Sequence, residues 1–288
     1  MIQIPFVDLK AQYLTIRQEI DHAVARVLQS GMYILDREVS AFEYEFAEYC
    51  GVGQAIGVAS GTDALHLALL VCGVGQGDEV ITVSFTSVAT VAVIEYTGAK
   101  PVLVDIDPRT LTIDTDKVLS AITPRTRAVI PVHLFGCPAD LAMLQEICCS
   151  RGIYLIEDCA QAHGASWMNK KVGAWGNIAA FSFYPTKNLG AYGDGGAVVT
   201  NDLALAKKAY SLRQYGWEQR QISYSKGINS RLDELQAAIL RVKLKHLDQW
   251  NTRRREIAAH YDQWLSGTGI TLPSTPVEGY SIFHEYVI

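Results

Sequence analysis

Three groups that could do chemistry stand out in the sequence, each in a setting that would fix its position. Lys187 lies in the stretch SFYPTKNLGAYGDGG (182–196), among glycines, aromatic residues and a proline, with no neighbouring positive charge. Asp158 closes the apolar run IYLIEDCA, and Gly61 and Thr62 follow another apolar run in ASGTDALH. A lone amine in a constrained loop is typical of a lysine that forms a covalent bond at a fixed point.

Each of these features also has a simpler interpretation. Asp158 or Glu157 could cap a following helix, and Ser60 or Thr62 could be an ordinary N-cap. Lys187 could be a solvated lysine in a glycine-rich turn. The GDGG segment lacks the GxxxxGK[ST] order and precedes a strand-like run, which argues against a phosphate loop of that type.

Together, the three groups match what a protein supplies to pyridoxal 5′-phosphate (PLP). The amine would bond to the cofactor, and the carboxylate would keep the pyridine nitrogen protonated. The free amides at a helix start would bind the phosphate. A desolvated lysine among positive groups loses its proton more easily, as this chemistry requires.

Alternating strand-like and helix-like segments must position these groups. The strand-like runs are 54–60, 78–84, 100–106, 126–134, 153–160, 177–183 and 196–200, and the helical patterns between them are 61–73, 86–98, 114–122 and 139–152. Apolar runs separated by helices predict the α/β class, here a three-layer α/β/α large domain with a mainly parallel sheet. Ligands bind outside the carboxyl ends of the strands in such sheets, which is where Asp158 falls.

The last third of the sequence changes character. It turns helical from residue 203, with a long or broken helix over 230–265, and SIFHEYVI (281–288) has the pattern of a strand. We therefore expect a PLP-binding large domain with an N-terminal helix over 1–245. Residues 246–288 would begin a small C-terminal α+β domain.

Composition excludes several classes of partner. The net charge of −5 argues against nucleic acid or an anionic membrane, and no apolar run is long enough to span a bilayer. The N-terminal residues lack the pattern of a signal peptide, so a cytoplasmic location is expected. The six cysteines include no CxxC pair, so we expect buried free thiols and no metal site.

Longer motifs carry a family resemblance across nearly the whole chain. They are PFVDLKAQY, SGTDALHLAL, GDEVITV, PVHLFG, IEDCAQAHGA, FSFYPTKNLGAYGDGGAVVTND and GINSRLDELQAAIL. In combination they resemble the DegT/StrS group of sugar aminotransferases, which are PLP enzymes with the aspartate aminotransferase fold. Related dehydratases are expected to carry histidine at the position of Lys187, so the lysine favours transamination.

The resemblance implies roles around the cofactor ring. Lys187 would bond to PLP and carry protons to and from the sugar carbon, and Asp158 would pair with the pyridine nitrogen. Gln161 would lie beside the ring and its 3′-oxygen. An aromatic residue usually stacks on the ring where Ser87 aligns, so Phe85 is predicted to take over the stacking.

The resemblance also implies a shared phosphate site. Gly61, Thr62 and Ser182 would hold the phosphate, and Asn229 in GINSR would reach the phosphate of the neighbouring subunit's cofactor. The active unit would then be a homodimer. From the sequence pattern alone, Ser182 and Asn229 are plain polar loop residues, as is Gln161. His133 and His163 are predicted to be structural.

The implied reaction uses L-glutamate or L-glutamine as amino donor and a nucleotide-linked keto-hexose as acceptor. Likeness around GWEQR and GINSR favours a dTDP-3-keto-6-deoxyhexose. Family members continue beyond HEYVI with a small domain that helps to close the sugar site, so that domain is expected to be incomplete here. PLP binding is expected to depend on residues before 232. The alternative is a non-catalytic, PLP-binding regulatory protein or an inactive relative.

Overall fold

The computed structural model describes residue 5 and residues 7–288. The helices are α1 (Leu9–Thr15), α2 (Arg17–Ser30), α3 (Arg37–Cys50), α4 (Gly61–Val71), α5 (Val88–Tyr96), α6 (Thr115–Ala121), α7 (Leu141–Arg151), α8 (Leu203–Leu212), α9 (Glu234–Leu244) and α10 (Leu247–Leu265). The strands are β1 (Gln54–Val58), β2 (Glu79–Val83), β3 (Lys100–Val104), β4 (Thr126–Val129), β5 (Tyr154–Asp158), β6 (Ser166–Trp167), β7 (Lys170–Lys171), β8 (Ile178–Ser182), β9 (Gly196–Thr200), β10 (Trp217–Gln219), β11 (Ile222–Ser223) and β12 (Gly279–Tyr280).

The main sheet has seven strands in the order β1-β9-β8-β5-β4-β2-β3. Strand β9 runs antiparallel to both β1 and β8, and the other neighbouring pairs are parallel. Each strand predicted from an apolar run is present, and the prediction of a mainly parallel sheet is confirmed. The carboxyl ends of β8, β5, β4 and β2 therefore lie along one edge of the sheet.

Helices cover both faces of this sheet, as its alternating side chains require. In β8, Phe181 packs into the core cluster that contains Phe42 and Phe46 of α3. The adjacent Ala180 packs on the other face, in the cluster that contains Leu67 of α4. Because both faces of the inner strands are buried, those strands are mostly apolar, and their exposed polar groups lie at the strand ends.

The ends of the helices have local causes. The Ser60 hydroxyl accepts a hydrogen bond from the Asp63 amide at the start of α4 (3.1 Å), and Asp140 caps α7 in the same way. Gly152 ends α7 with φ 65°, a conformation that glycine adopts without steric cost. The predicted helix over 230–265 is broken into α9 and α10.

The prediction of a strand over 281–288 is wrong. Only Gly279–Tyr280 forms a strand, β12, which pairs with β6 in a separate small sheet. Beyond it, the amides of Ile282 and His284 donate to the carbonyls of Gly136 and Phe135, but the residues between them do not form a ladder. Apolar alternation in this segment reflects burial of Ile282 against the large core.

The expected domain boundary and the expected absence of a signal peptide are not tested by the described residues. The division into domains at residue 245 stays a prediction. The expected absence of a signal peptide falls partly on residues 1–4 and 6, which lie outside the described residues. Within the described part of the chain, no helix is long and apolar enough to cross a bilayer.

Candidate active site

The loop that carries Lys187 is fixed at several points. It leaves the end of β8, and the Lys187 amide closes a turn by donating to the Tyr184 carbonyl (2.9 Å). Gly190 passes so close to this turn that an added Cβ would lie 2.3 Å from the Pro185 carbonyl oxygen. The proline and the glycine therefore set the path of the backbone on both sides of the lysine, which explains why a single amine is found in so constrained a stretch.

The environment of Lys187 favours loss of its proton. Burial lowers the pKa of the Lys187 ammonium, and the negative charges of Asp158 and Glu285 oppose that shift. A neutral amine is the form that attacks a carbonyl carbon. Lys187 is also half-buried and lines the cleft described below, so it is not a fully solvated turn residue.

Asp158 lies at the carboxyl end of β5 and is 3% exposed. Its Oδ2 accepts a hydrogen bond from the Thr90 hydroxyl (2.9 Å), and its Oδ1 accepts one from the Ala160 amide (3.1 Å). Burial raises the pKa of this carboxyl, and the two hydrogen bonds oppose the rise. The chain after β5 forms turns, so Asp158 caps no helix, and its buried carboxylate favours a cationic partner in the cleft.

The start of α4 faces the same cleft. Because the first amides of a helix have no acceptor within it, the N–H groups of Gly61 and Thr62 are available to an anion. A Cβ on Gly61 would lie 2.4 Å from the Cβ of Ser182, so only glycine lets the helix approach β8 this closely. The Ser182 Oγ accepts from the Tyr184 amide (3.3 Å), which leaves its hydroxyl hydrogen free to donate.

Gln161 is oriented by a backbone amide. Its Oε1 accepts a hydrogen bond from the Phe135 N–H (2.7 Å), which leaves its own NH₂ group for an acceptor in the cleft. Phe135 adopts φ 56°, in the left-handed region that non-glycine residues rarely enter. This conformation turns its amide towards Gln161.

These groups line one cleft of about 290 Å³ at the carboxyl edge of the sheet. Of the predicted site residues, the cleft is lined by Gly61, Thr62, Asp158, Gln161, Ser182 and Lys187. Phe85 is not in the lining. Its ring is 44% exposed and meets the Phe135 ring edge to face at 5.9 Å, whereas Ser87 lines the cleft. Stacking by Phe85 on a bound ring stays a prediction without support from this geometry.

Asn229 also lies outside the cleft and is exposed. It forms an isolated bridge with Gln214, and its neighbour Ser230 is buried, donating from Oγ to Asp63 in the first turn of α4 (2.6 Å). The segment that carries Asn229 is thus attached to the helix that faces the cleft. Its predicted role in a neighbouring subunit's site remains a prediction.

The two histidines near this edge of the sheet face away from the cleft lining. The Nδ1 of His133 accepts from the Ala139 amide (3.1 Å), so its Nε2 carries the proton and donates to Glu157 (3.2 Å). His163 is fully buried beside the rings of Phe181 and Phe183, and burial lowers its pKa to about 3. Both rings are therefore parts of the core, and that of His163 is neutral.

Sequence reasoning missed several residues of the cleft, namely Thr86, Thr90, Tyr184 and Asp194. Thr90 is the most informative of them because it holds Asp158. A signal was present: Thr90 is the one polar residue in the run VATVAVI (88–94), and a lone hydroxyl in so apolar a helix predicts a polar partner beside it. The Thr86 hydroxyl, from the turn before α5, lies 2.9 Å from that of Thr90.

The fold and the cleft define a class. A mainly parallel sheet with a lysine, a buried acid and a helix start at its carboxyl edge is the arrangement of the fold-type I aminotransferases. The chain belongs to the DegT/DnrJ/EryC1/StrS aminotransferase family, whose family model matches residues 14–288.

Individual relatives agree with this assignment. The dTDP-3-amino-3,4,6-trideoxy-alpha-D-glucose transaminase of Streptomyces venezuelae is 50% identical over 287 residues, which are 99% of this chain and 76% of that protein. The crystal structure of DesV from S. venezuelae in complex with a ketimine intermediate superposes with a TM-score of 0.97 at 51% identity, covering 99% of this chain and 77% of that one.

A more distant structure is similar as well. NtdA from Bacillus subtilis, solved with the bound cofactor PMP, has a TM-score of 0.93 at 31% identity and covers 99% of this chain and 66% of that one. The recognition made from the motifs, that of a sugar aminotransferase family with the aspartate aminotransferase fold, is confirmed.

Proposed function

We propose that this aminotransferase uses PLP to transfer an amino group from L-glutamate to a nucleotide-linked keto-hexose. The observation that carries the proposal is the presence of Lys187 and Asp158 in one cleft, with the start of α4 in the same lining. In the net exchange, nitrogen from glutamate replaces the ketone oxygen of the sugar, and that oxygen leaves as water. The glutamate carbon that loses nitrogen takes its oxygen from another water molecule, so 2-oxoglutarate is released and water is neither gained nor lost overall.

The residues present fit PLP on three counts. The buried carboxylate of Asp158 suits the protonated nitrogen of a pyridine ring, since a cation beside it offsets the cost of burying its charge. The desolvated amine of Lys187 suits an aldehyde carbon, and the amides at the start of α4 with the Ser182 hydroxyl suit a phosphate. When bound, PLP supplies a ring that accepts the electrons of a substrate carbanion.

The protein's own contribution is orientation and proton transfer. Thr90 and the Ala160 amide hold the two carboxylate oxygens of Asp158, so the acid that would pair with the ring nitrogen keeps one orientation. Gln161, held by the Phe135 amide, would offer its NH₂ group to the 3′-oxygen. The Lys187 amine removes a proton from the carbon of the donor and delivers one to the sugar carbon that receives nitrogen.

The choice of sugar rests on likeness. The S. venezuelae relative is named for a dTDP-linked sugar with the amino group at carbon 3, and the GWEQR and GINSR motifs favour the same class of acceptor. We therefore propose a dTDP-3-keto-6-deoxyhexose as substrate. We further propose a homodimer in which Asn229 completes the phosphate site of the neighbouring subunit, which its exposed position permits.

The test is product analysis. The purified protein, PLP and L-glutamate are incubated with dTDP-3-keto-6-deoxyglucose, with the 4-keto isomer or with a UDP-linked 3-keto sugar, and the product is identified by mass and NMR spectroscopy. The proposal predicts amination at carbon 3 of the dTDP sugar and formation of 2-oxoglutarate, both lost in Lys187→Ala. Amination at carbon 4 alone would refute the proposed acceptor, and parallel reactions with L-glutamine identify the donor.

A further inference from the structure

Residues 281–284, here called the 281–284 segment, lie against a loop that frames the cleft. The Ile282 amide donates to the Gly136 carbonyl (3.1 Å), and the His284 amide donates to the Phe135 carbonyl (2.8 Å). The Phe135 amide in turn holds Gln161. The same residue therefore joins the 281–284 segment to a side chain of the cleft.

A second connection reaches the lysine loop. The Nδ1 of His284 lies 3.0 Å from the Oδ1 of Asn188, the residue that follows Lys187. The Asn188 Nδ2 donates to the Asn251 Oδ1 (2.8 Å), and the Asn251 Nδ2 donates to the His163 carbonyl (2.8 Å). Because the Asn188 amide nitrogen is used as a donor, its oxygen is the acceptor, and His284 must carry its proton on Nδ1.

This chain of side chains is buried. Asn188 is 4%, Asn251 3% and His284 8% exposed. Buried amides and imidazoles are costly to desolvate unless each finds its partner, so these three side chains favour one arrangement over alternatives. A surface contact would exert no such constraint on the loop.

We propose that His284 is a positioning residue for Lys187: it fixes the lysine loop through Asn188 and makes the 281–284 segment a working part of the cofactor site. The inference rests on the proposed use of PLP at Lys187. It differs from the sequence-based expectation that cofactor binding depends only on residues before 232. The proposal also gives a role in cofactor binding to the 281–284 segment, for which the sequence pattern predicts only a strand.

A purely structural role would have other consequences. If the 281–284 segment only covers apolar core, loss of the His284 side chain should lower thermal stability and leave the lysine chemistry unchanged. If His284 positions Lys187, the variant should alter how tightly PLP binds and the pH at which the visible band of lysine-bound PLP titrates. Binding of PLP to the apoprotein and this titration are therefore the informative measurements.

The experiment compares His284→Ala with two matched variants. His284→Asn keeps an N–H donor close to the position of Nδ1. Tyr286→Phe removes the hydrogen bond from Tyr286 to Asp262 (2.7 Å), which lies in the same part of the chain but does not reach the lysine loop. Each apoprotein is titrated with PLP, the band is followed as a function of pH, and the melting temperature is recorded.

We expect His284→Ala to weaken PLP binding about tenfold, as loss of one buried hydrogen bond to an oriented loop would do, and to shift the titration of the band. His284→Asn should restore binding to within about threefold, and Tyr286→Phe should match the parent. If His284→Ala does not fold, His284→Leu removes the donor with less loss of volume. If the parent binds PLP and the His284 variants have the same PLP affinity and band titration as Tyr286→Phe, this inference alone is overturned. If the parent forms no bond to PLP, the proposed function is overturned and this inference with it.

Discussion

Glu157 and Asp158 are adjacent in β5, and their carboxylates lie on opposite faces of the sheet, where they have different hydrogen-bond partners. Glu157 is fully buried away from the cleft and accepts hydrogen bonds from His133 and from the amides of Gly173, Trp175 and Gly176. Asp158 faces the cleft and accepts from Thr90 and Ala160. Successive side chains of a strand point to opposite faces of the sheet, so Glu157 stabilises the fold while its neighbour Asp158 faces the cleft.

This separation predicts opposite effects for two conservative substitutions. Glu157→Gln replaces an acceptor oxygen by a donor among backbone N–H groups, so the free energy of unfolding should fall by about 2–3 kcal/mol. Asp158→Asn removes a buried charge, so the apoprotein should unfold at a similar or higher denaturant concentration. Its affinity for PLP should fall by about 2 kcal/mol or more, which is roughly thirtyfold. Urea unfolding and PLP titration of both variants make the comparison, and an Asp158→Asn protein that keeps the parent affinity for PLP would contradict the role of this acid.

The close contact between α4 and β8 predicts that a single methyl group added at Gly61 weakens PLP binding. In Gly61→Ala the new Cβ would meet Ser182, so the helix start must shift away from the strand and its amides must leave the phosphate position. We expect PLP affinity to fall at least about tenfold, with a smaller loss of stability.

Gly53→Ala is the matched control for this helix start. The nearest atom to a Cβ at Gly53 is 3.8 Å away, so this glycine can accept a methyl group without a clash. Its PLP affinity should equal that of the parent when both are measured by titration of the apoprotein. If both alanine variants bind PLP equally well, close packing of α4 on Ser182 does not shape the phosphate site.

Two buried histidines predict how stability depends on pH. Burial lowers the pKa of both His163 and His284 to about 3, and the charge of Lys187 acts in the same direction on each. Arg254 adds to the shift at His284, whose Nε2 also lies 3.8 Å from the Glu285 carboxylate. In the unfolded chain a histidine takes a proton near pH ~6.5, but the folded protein does not until much lower pH, so stability falls as the pH falls through that window.

The size of this effect can be measured by difference. Each histidine should remove about 2 kcal/mol of unfolding free energy between about pH 7 and pH 5. Asp158 contributes with the opposite sign, because its pKa is raised, so the parent must be compared with His284→Asn under the same conditions. Measured by urea unfolding, the unfolding free energy of His284→Asn should fall less with decreasing pH than that of the parent. The same dependence of unfolding free energy on pH in both proteins would contradict the prediction.

Local pattern was sufficient to predict the scaffold and to single out Lys187, Asp158 and Gly61, which the structure brings into one cleft, while their roles toward a cofactor stay predictions. Apolar runs marked each strand of the main sheet, because the inner strands are buried on both faces and a polar residue there needs a hydrogen-bond partner. Lys187 and Asp158 were recognisable because an amine among glycines and an acid at the end of an apolar strand conflict with their surroundings unless something binds there. Gly61 was found through the turn from strand to helix.

The remainder depends on contacts between distant parts of the chain. The approach of residues 281–284 to Phe135 and Asn188 has no local sequence signature, and the alternation in SIFHEYVI came from burial of Ile282 rather than from a ladder. The left-handed conformation of Phe135 could not be read from its residue type. Phe85 was chosen for its ring, but the turn after β2 presents Ser87 to the cleft instead.

The central claim, that Lys187 is the amine that bonds to PLP and then exchanges nitrogen with an amino donor, can be tested most directly by visible absorption. The purified protein is loaded with PLP, its spectrum is recorded, and L-glutamate is added, with Lys187→Ala as the control. If Lys187 is that amine, a visible band of lysine-bound PLP bleaches on addition of glutamate and is absent from Lys187→Ala. The same band in Lys187→Ala, or a band in the parent that glutamate does not change, would contradict it.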